Sequence, residues 1–232
     1  MLEVNELISG YGSGQVLNQA SLELTKGEVV AVLGRNGVGK TTFLKTLMCI
    51  IAPQSGSIRF QETELFGRST HDIARLGLGY VPQGRGIFDK LTVEENLQMG
   101  LRAREDGLGQ IPSFIYERFP ILHERRGQFA GTLSGGQKQQ LAISRALCGD
   151  PAVLLLDEPS EGIQPNIVQE IGDFVRELAE DQGIATVLVE QNLELINIAC
   201  DRFEIMEKGV FVHRGEKAEL KDEAMLKKYL AV

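Results

Sequence analysis

The stretch VVAVLGRNGVGKTTFLKTL, residues 29 to 47, decides the fold. Its first five residues are apolar and are typical of a strand buried on both faces of a parallel sheet, while a helical pattern follows Lys40. Between them, Gly34 to Thr41 match the phosphate-loop pattern GxxxxGK followed by Ser or Thr. The alternative is a glycine turn with a surface lysine, but the strand before and the helix after are the context that indicates a phosphate loop.

This loop predicts a site for a nucleotide and Mg²⁺. Backbone N–H groups of residues 37 to 41 would cradle the β-phosphate, Lys40 would bridge the β- and γ-phosphates, and the Thr41 hydroxyl would bind the metal. The predicted nucleotide-binding residues here are Gly34, Arg35, Asn36, Gly37, Val38, Gly39, Lys40, Thr41 and Thr42.

Two adjacent carboxylates end a second apolar run, VLLLDEP at residues 153 to 159. Since ligands gather at the carboxyl ends of parallel strands, both acids should face the phosphate loop. We expect Asp157 to hold Mg²⁺ through water and Glu158 to orient and deprotonate the attacking water. The alternative is an acidic helix cap after a strand, which the upstream loop disfavours.

A helix beginning with two glycines is the third candidate site, in TLSGGQKQQLAISRALC at residues 132 to 148. Ser134 and Gln137 have the spacing of a capping box, and each helical glycine costs about 1 kcal/mol relative to alanine. Bare backbone N–H groups at a helix start can bind an anion. The segment Ser134, Gly135, Gly136 and Gln137 is therefore predicted to bind phosphate.

Two further residues are candidates with equally ordinary alternatives. Gln83, after LGYVP, has an amide that could reach a metal or a water, although a loop glutamine is usually just solvated. Tyr11, after the first strand, could stack on adenine or could simply cover the edge of the core.

Composition limits the class of protein. The chain has 232 residues, 43% of them hydrophobic and 24% charged, with a net charge of -8 and no basic run, so we expect no nucleic-acid partner. Its three scattered cysteines predict neither a disulfide framework nor a zinc site. Neither a signal pattern nor an apolar stretch long enough to span a bilayer is evident, so any membrane role is expected to come through a partner.

The pattern along the chain predicts one α/β domain: a phosphate-loop core with a parallel sheet, an N-terminal antiparallel β subdomain and an inserted helical subdomain. Core and β subdomain are assigned to residues 1–83 and 150–232, and the helical subdomain to about 84–149. Predicted core strands are 29–33, 152–156 and 185–189, and helices are expected at 40–51, 72–76 and 223–230. Residues 202–215 are read as a hairpin that turns at Lys208 and Gly209.

Taken in order, Tyr11, GRNGVGKTT, Gln83, LSGGQ and LLLDEP resemble the motifs of ATP-binding cassette ATPases, and the resemblance covers the whole chain. LSGGQ is the motif specific to that family. The resemblance implies an ATPase that binds ATP and Mg²⁺. It also implies that the LSGGQ turn contacts the γ-phosphate held by a second ATPase subunit, so that two chains face each other head to tail.

The segments YVPQGRGIF, LTVEENL, LLLDEPSEGIQP and VLVEQN are similar to ATP-binding subunits of bacterial importers for branched-chain amino acids, amides and urea, and EGIQP and KYLAV favour the urea branch. This implies two membrane-spanning permease subunits, a second ATPase subunit that is a related chain or a copy, and an extracytoplasmic solute-binding protein. The location would be the cytoplasmic face of the inner membrane. Residues 84–96 would receive the permease, or form an ordinary surface.

Three residues depart from the family pattern. Gln191 stands where most members place a histidine that contacts the γ-phosphate, and an amide cannot carry a proton or a positive charge. We expect Gln191 to sense the γ-phosphate and this site to turn over more slowly than the partner's. Gln164 replaces a common aspartate, which puts contacts between subunits in doubt there, and Gln140 replaces a frequent arginine with no expected effect.

Two other classes of function stay open. One is a cassette ATPase that never docks on a membrane and acts in metal-cluster assembly, repair or translation, although such relatives usually carry insertions, a second cassette or basic surfaces. The other is a nucleotide-binding regulator without turnover, which the presence of Glu158 argues against.

Overall fold

The computed structural model describes residues 1–104, 109–222 and Tyr229. Its strands fall into two sheets. They are β1 (Leu2–Tyr11), β2 (Gly14–Leu24), β3 (Val29–Leu33), β4 (Pro53–Phe60), β5 (Thr63–Glu64), β6 (Leu78–Val81), β7 (Val153–Asp157), β8 (Ala185–Val189), β9 (Arg202–Glu207) and β10 (Val210–Glu216).

The larger sheet has six strands in the order β10-β9-β3-β8-β7-β6. All neighbouring pairs are parallel except β9 and β10, which form an antiparallel hairpin. Every residue of β3, β7 and β8 is buried, as expected for strands covered on both faces. In β3 the side chains of Val29, Ala31 and Leu33 pack on one side of the sheet, and those of Val30 and Val32 pack on the other.

The second sheet is antiparallel, in the order β2-β1-β4-β5. Its apolar side chains join one face of the parallel sheet and the first helix in a common core. The other face of the parallel sheet is covered by the later helices. The predicted combination of a parallel phosphate-loop core with an antiparallel N-terminal sheet is confirmed.

Eight α-helices lie within the described residues, and most of them follow strands of the parallel sheet or lie between β6 and β7. They are α1 (Lys40–Leu47), α2 (Thr70–Arg75), α3 (Val93–Leu101), α4 (Ser113–Arg118), α5 (Pro120–Glu124), α6 (Gly135–Leu147), α7 (Pro165–Gln182) and α8 (Leu193–Ala199). Two short 3-10 helices lie at Ala130–Thr132 and Lys217–Lys221. Helices α3 to α6 occupy the segment that we assigned to a helical subdomain, whose boundaries stay a prediction.

Helix α1 is shorter than predicted, because it ends at Leu47 and not at residue 51. Cys49 adopts a left-handed φ of 48°. Its N–H donates to Thr46 O (2.9 Å), and the Ile50 N–H donates to Lys45 O (2.9 Å). This pair of bonds is a Schellman motif, which closes a helix without a glycine here. Apolar periodicity alone does not reveal such an ending.

The core strands predicted at 29–33 and 185–189 have the observed bounds, and, apart from the end of α1, the other boundaries within the described residues differ from prediction by one or two residues. The hairpin turns at Lys208 and Gly209 as predicted, and both residues have positive φ, as a two-residue type I′ turn requires. The strand predicted at 152–156 runs one residue further, to Asp157, and the short helix predicted at 72–76 lies at Thr70–Arg75. The helix predicted at 223–230 lies outside the described residues apart from Tyr229.

A helix that spans a bilayer needs about 20 consecutive, mostly apolar residues. Among the described residues, none of the helices is both long and apolar enough to cross a membrane.

Candidate active site

The phosphate loop joins β3 to α1 and closes around the side chain of Lys40. The Lys40 Nζ donates to Gly34 O at 2.6 Å and to Arg35 O at 3.0 Å, and the residue is only 5% exposed. Burial lowers the pKa of Lys40, and the negative charges of Glu158, Asp157 and Glu190 act in the opposite direction. The lysine is thus a partly desolvated cation that the loop carbonyls hold in place.

Gly34 is required by the backbone at the end of β3. Its φ is +149°, and a Cβ built there would lie 2.5 Å from Met206 O. The strand β9 therefore passes too close for any other residue, which keeps the loop tight against the sheet.

Asp157 ends β7 and lies beside the first turn of α1. Its Oδ1 accepts from Thr41 Oγ1 at 3.0 Å, and its Oδ2 accepts from the Tyr80 hydroxyl at 3.3 Å. Burial raises the pKa of Asp157, whereas the bonds from Thr41 and Tyr80 lower it. Burial likewise raises the pKa of Tyr80. We did not predict Tyr80, because a tyrosine in a β-strand is ordinary on sequence grounds.

Glu158 is held between two amides. Gln83 Nε2 donates to Glu158 Oε2 at 3.1 Å, and Gln191 Nε2 donates to Glu158 Oε1 at 2.9 Å. The same Gln191 nitrogen donates to Asn36 Oδ1 of the phosphate loop at 2.8 Å. Glu158 itself has a left-handed φ of 48°, and its N–H donates to Val189 O at 2.9 Å. The carboxylate is thus oriented by residues from two separate loops, one of which is also bonded to the phosphate loop.

A cavity of about 460 Å³ lies in front of these groups. Its wall brings together most of the residues predicted for the nucleotide and the catalytic carboxylate, namely Tyr11, Asn36, Gly37, Gly39, Lys40, Thr41, Thr42, Gln83 and Glu158, and adds Val16 and Glu161. Tyr11 is 57% exposed at this wall, and its role in binding adenine stays a prediction.

A carboxylate missed by sequence reasoning supports the loop after β8. Glu190 is 3% exposed. Its Oε1 accepts from the N–H groups of Gln191 (2.7 Å) and Asn192 (3.0 Å), and its Oε2 accepts from the Ser160 N–H (3.1 Å). The Glu190 side chain therefore ties the loop that carries Gln191 to the turn after Glu158.

The LSGGQ turn has the predicted capping box at the start of α6. The Gln137 N–H donates to Ser134 Oγ at 3.3 Å, and the Ser134 N–H donates to Gln137 Oε1 at 3.0 Å. A Cβ on Gly136 would lie 3.0 Å from Ile167 Cγ2 of α7. Gly136 is buried, so close packing of α6 on α7 is a reason for this glycine that we did not predict.

This turn lines a different cavity, of about 530 Å³. Residues 134 to 137 share it with Gln140, Gly162 and Gln164, so the chain does not bring the turn to its own phosphate loop. Gln140 Nε2 donates to Glu170 Oε2 at 3.1 Å. Gln164 precedes α7 without a side-chain capping bond.

Comparison with known proteins agrees with this arrangement. The fold and site define a phosphate-loop nucleotide hydrolase, and residues 17–161 match the family model for the ABC transporter. The chain belongs to the family of ABC transporter ATPases. It is an ATPase, and its cofactor is the adenine nucleotide of that family.

The chain covers nearly the whole length of the following two relatives. The chain is 42% identical to the high-affinity branched-chain amino acid transport ATP-binding protein BraG of Pseudomonas aeruginosa, over 95% of this chain and 94% of that protein. It is 32% identical to the lipopolysaccharide export system ATP-binding protein LptB of Escherichia coli, over 99% and 96%.

Solved structures give the same fold. cbiO1 from Clostridium perfringens, part of the ABC transporter complex cbiONQ, has a TM-score of 0.80 at 28% identity over 99% of this chain and 95% of that one. A dimeric post-hydrolysis ATP-binding cassette bound to ADP and Pi has a TM-score of 0.84 at 21% identity, over 94% and 99%.

Proposed function

We propose that this chain energises a bacterial importer of the branched-chain amino acid, amide and urea group. The observation that carries the proposal is the likeness to BraG, a branched-chain amino acid transport protein, at 42% identity over 95% of the chain. The chain would lie at the cytoplasmic face of the inner membrane on two membrane-spanning permease subunits, which a solute-binding protein serves from outside.

The residues of the nucleotide cavity suggest a division of roles. Lys40 and the amides of Gly34 to Thr42 bind the phosphates of ATP, and Tyr11 stacks on the adenine. Glu158 takes the proton of the attacking water, with Gln83 and Gln191 fixing its orientation. Gln191 also senses the γ-phosphate, since its amide lies between Glu158 and the loop residue Asn36.

The donor set around Asp157 fits Mg²⁺. A hydroxyl oxygen of Thr41 and a carboxylate oxygen of Asp157 lie 3.0 Å apart, and Mg²⁺ favours one or two protein oxygens together with phosphates and water. Thr41 and Asp157 would hold the ion, with Gln83 at its edge. When bound, Mg²⁺ neutralises charge on the phosphates.

The LSGGQ turn requires a second ATPase subunit in this proposal. Since Ser134 to Gln137 and the phosphate loop line separate cavities, the turn serves the nucleotide of a facing subunit, a related chain or a copy. Closure of the pair on ATP moves the permease through residues 84–96, and loss of the γ-phosphate removes the charge that both chains bind.

Uptake by cells tests the proposal and separates the solutes. Cells lacking this chain are given labelled leucine, acetamide or urea, and are complemented with the wild type, with Glu158→Gln, or with Arg59→Ala, an exposed control on β4. We expect uptake of one solute of this group to return with the wild type and the control, but not with Glu158→Gln. If uptake of all three is independent of the chain, and no pair of membrane proteins copurifies with it, the importer assignment is wrong.

A further inference from the structure

Residues Gly84, Arg85 and Gly86, just after Gln83, form an unusual turn. All three have positive φ, at 76°, 73° and 57°. The Gly86 N–H donates to Gly84 O at 2.9 Å, which closes a three-residue turn with Arg85 at its centre. A γ-turn with a central φ near +75° is rare and strained, and a residue with a Cβ pays more for it than glycine. An arginine there calls for a reason in its side chain.

The side chain of Arg85 reaches two other segments of the site. Its Nη2 donates to Glu161 O at 3.1 Å. A Cβ built on Gly135, the first residue of α6, would lie 3.4 Å from this nitrogen, and one on Gly162 would lie 3.9 Å away. The guanidinium is therefore bonded to the turn after Glu158 and lies beside the position that a side chain at residue 135 of the LSGGQ turn would occupy.

Neighbouring residues add contacts to both turns. Gln83 Nε2 donates to Glu161 Oε2 at 3.2 Å, so Gln83 and Arg85 both bind the turn that follows Glu158. Arg145 Nη2 donates to Arg85 O at 3.4 Å, and its guanidinium lies 5.1 Å from the centre of the Phe88 ring. Both the backbone carbonyl and the guanidinium of Arg85 are thus hydrogen-bonded.

We propose that Arg85 is a positioning residue that holds the LSGGQ turn against residues 161 and 162, in the arrangement that meets the nucleotide of the facing subunit. Arg85 does not line the nucleotide cavity of its own chain. Its loss weakens closure of the pair and leaves ATP binding by the single chain intact. The inference rests on the proposed pairing of two ATPase subunits.

The test measures ATP-dependent dimerisation of the full chain in a Glu158→Gln background. Sedimentation velocity over a concentration series gives the dimer affinity. Because a hydrogen bond from a charged group is lost, we expect Arg85→Ala to weaken the dimer about tenfold. Affinity of the dilute monomer for a fluorescent ATP analogue should stay within about twofold, since this residue is outside the cavity. With Glu158 present, Arg85→Ala should lower kcat and leave KM unchanged.

Variants at the same position separate the side chain from the backbone. Arg85→Gly removes the strain together with the side chain and should be as defective as Arg85→Ala, whereas Arg85→Lys should recover part of the dimer. Arg59→Ala is the exposed control on β4 and should match the parent.

Three results would overturn the inference. They are an Arg85→Ala dimer as stable as the parent, an Arg85→Gly variant that behaves as the parent, or an equal loss of nucleotide affinity by the monomer. If the Glu158→Gln parent itself forms no dimer with ATP, the proposed pairing fails, and the inference fails with it.

Discussion

The two cavities that carry the family motifs differ in charge. The nucleotide cavity is lined by one buried lysine and by the carboxylates of Glu158 and Glu161. None of the described residues that line the LSGGQ cavity is charged, and its polar groups are amides, a hydroxyl and helix-terminal N–H groups. The nucleotide cavity can bind a nucleotide and activate water, whereas the LSGGQ cavity can only stabilise an anion that a second subunit brings to it. Under the proposed pairing, each chain therefore contributes a reactive half, the nucleotide cavity, and a neutral half, the LSGGQ cavity.

Removal of the catalytic base from the reactive half should have the largest effect. Glu158→Gln keeps the shape of the side chain and one oxygen that can accept from an amide, but it cannot take up a proton, so kcat should fall by about 100-fold or more. We expect ATP to trap this variant as a dimer in size-exclusion chromatography, while the wild type with ADP elutes as a monomer. A solitary Glu158→Gln chain at high concentration, alone and with its sister subunit, would contradict the division into two halves.

A negative charge in the neutral half should have the next largest effect. Gly135→Asp places a carboxylate where a phosphate is expected, and the ATP-dependent dimer should weaken by about 100-fold through like-charge repulsion. Nucleotide affinity of the monomer should not change, since Gly135 lines the other cavity. Gly135→Asn is the neutral control of equal size. Because Arg85 lies beside a Cβ at position 135 and would pair with the new carboxylate, both variants are also measured in an Arg85→Ala background, where equal dimer affinities would show that no phosphate approaches this turn.

Gln191 offers a smaller change within the reactive half. An imidazole at this position can be charged, and bonds from charged donors are roughly twice as strong as neutral ones, so Gln191→His should raise kcat by about threefold. Because an unperturbed histidine has a pKa of about 6.5, the variant should also gain a pH dependence on both sides of that value. The ATPase pH profile of the assembled transporter measures both effects. An unchanged rate and profile would refute a role for Gln191 in slowing turnover.

The smallest expected effect is on stability. Burial raises the pKa of Asp157, so its charged form is unfavourable in the fold. Asp157→Asn removes that charge and should raise the melting temperature by about 2–4 °C at neutral pH, while turnover is lost. As the pH falls through the raised pKa of Asp157, the wild-type carboxyl takes up its proton and the difference should close. A gap in melting temperature that persists at low pH would rule out this explanation.

Sequence was sufficient for the parts of the molecule that depend on local pattern. The apolar run before Gly34, the capping box at Ser134 and the turn at Lys208 each depend on neighbouring residues, and the structure has all three. The placement of Glu158 beside the phosphate loop in one cavity followed from the rule for parallel strands.

Contacts between distant segments were out of reach. Tyr80 reaches Asp157 only because β6 and β7 are paired, and Arg85 reaches Glu161 only through the strained turn at residues 84–86. Helix α1 ends early, at Leu47, and the left-handed residue that closes it is Cys49, not a glycine that the sequence would reveal. In each case the deciding interaction joins residues whose proximity is set by the tertiary fold.

The buried carboxylate of Glu190 has a consequence for how this family can diversify. Its carboxylate accepts from the N–H groups of residues 191 and 192 and from that of Ser160, so it anchors this loop independently of which side chain position 191 carries. Position 191 can therefore carry histidine, glutamine or another residue while the backbone of the loop stays the same. The ATPase rate could thus be tuned by substitutions at residue 191, provided that Glu190 is kept.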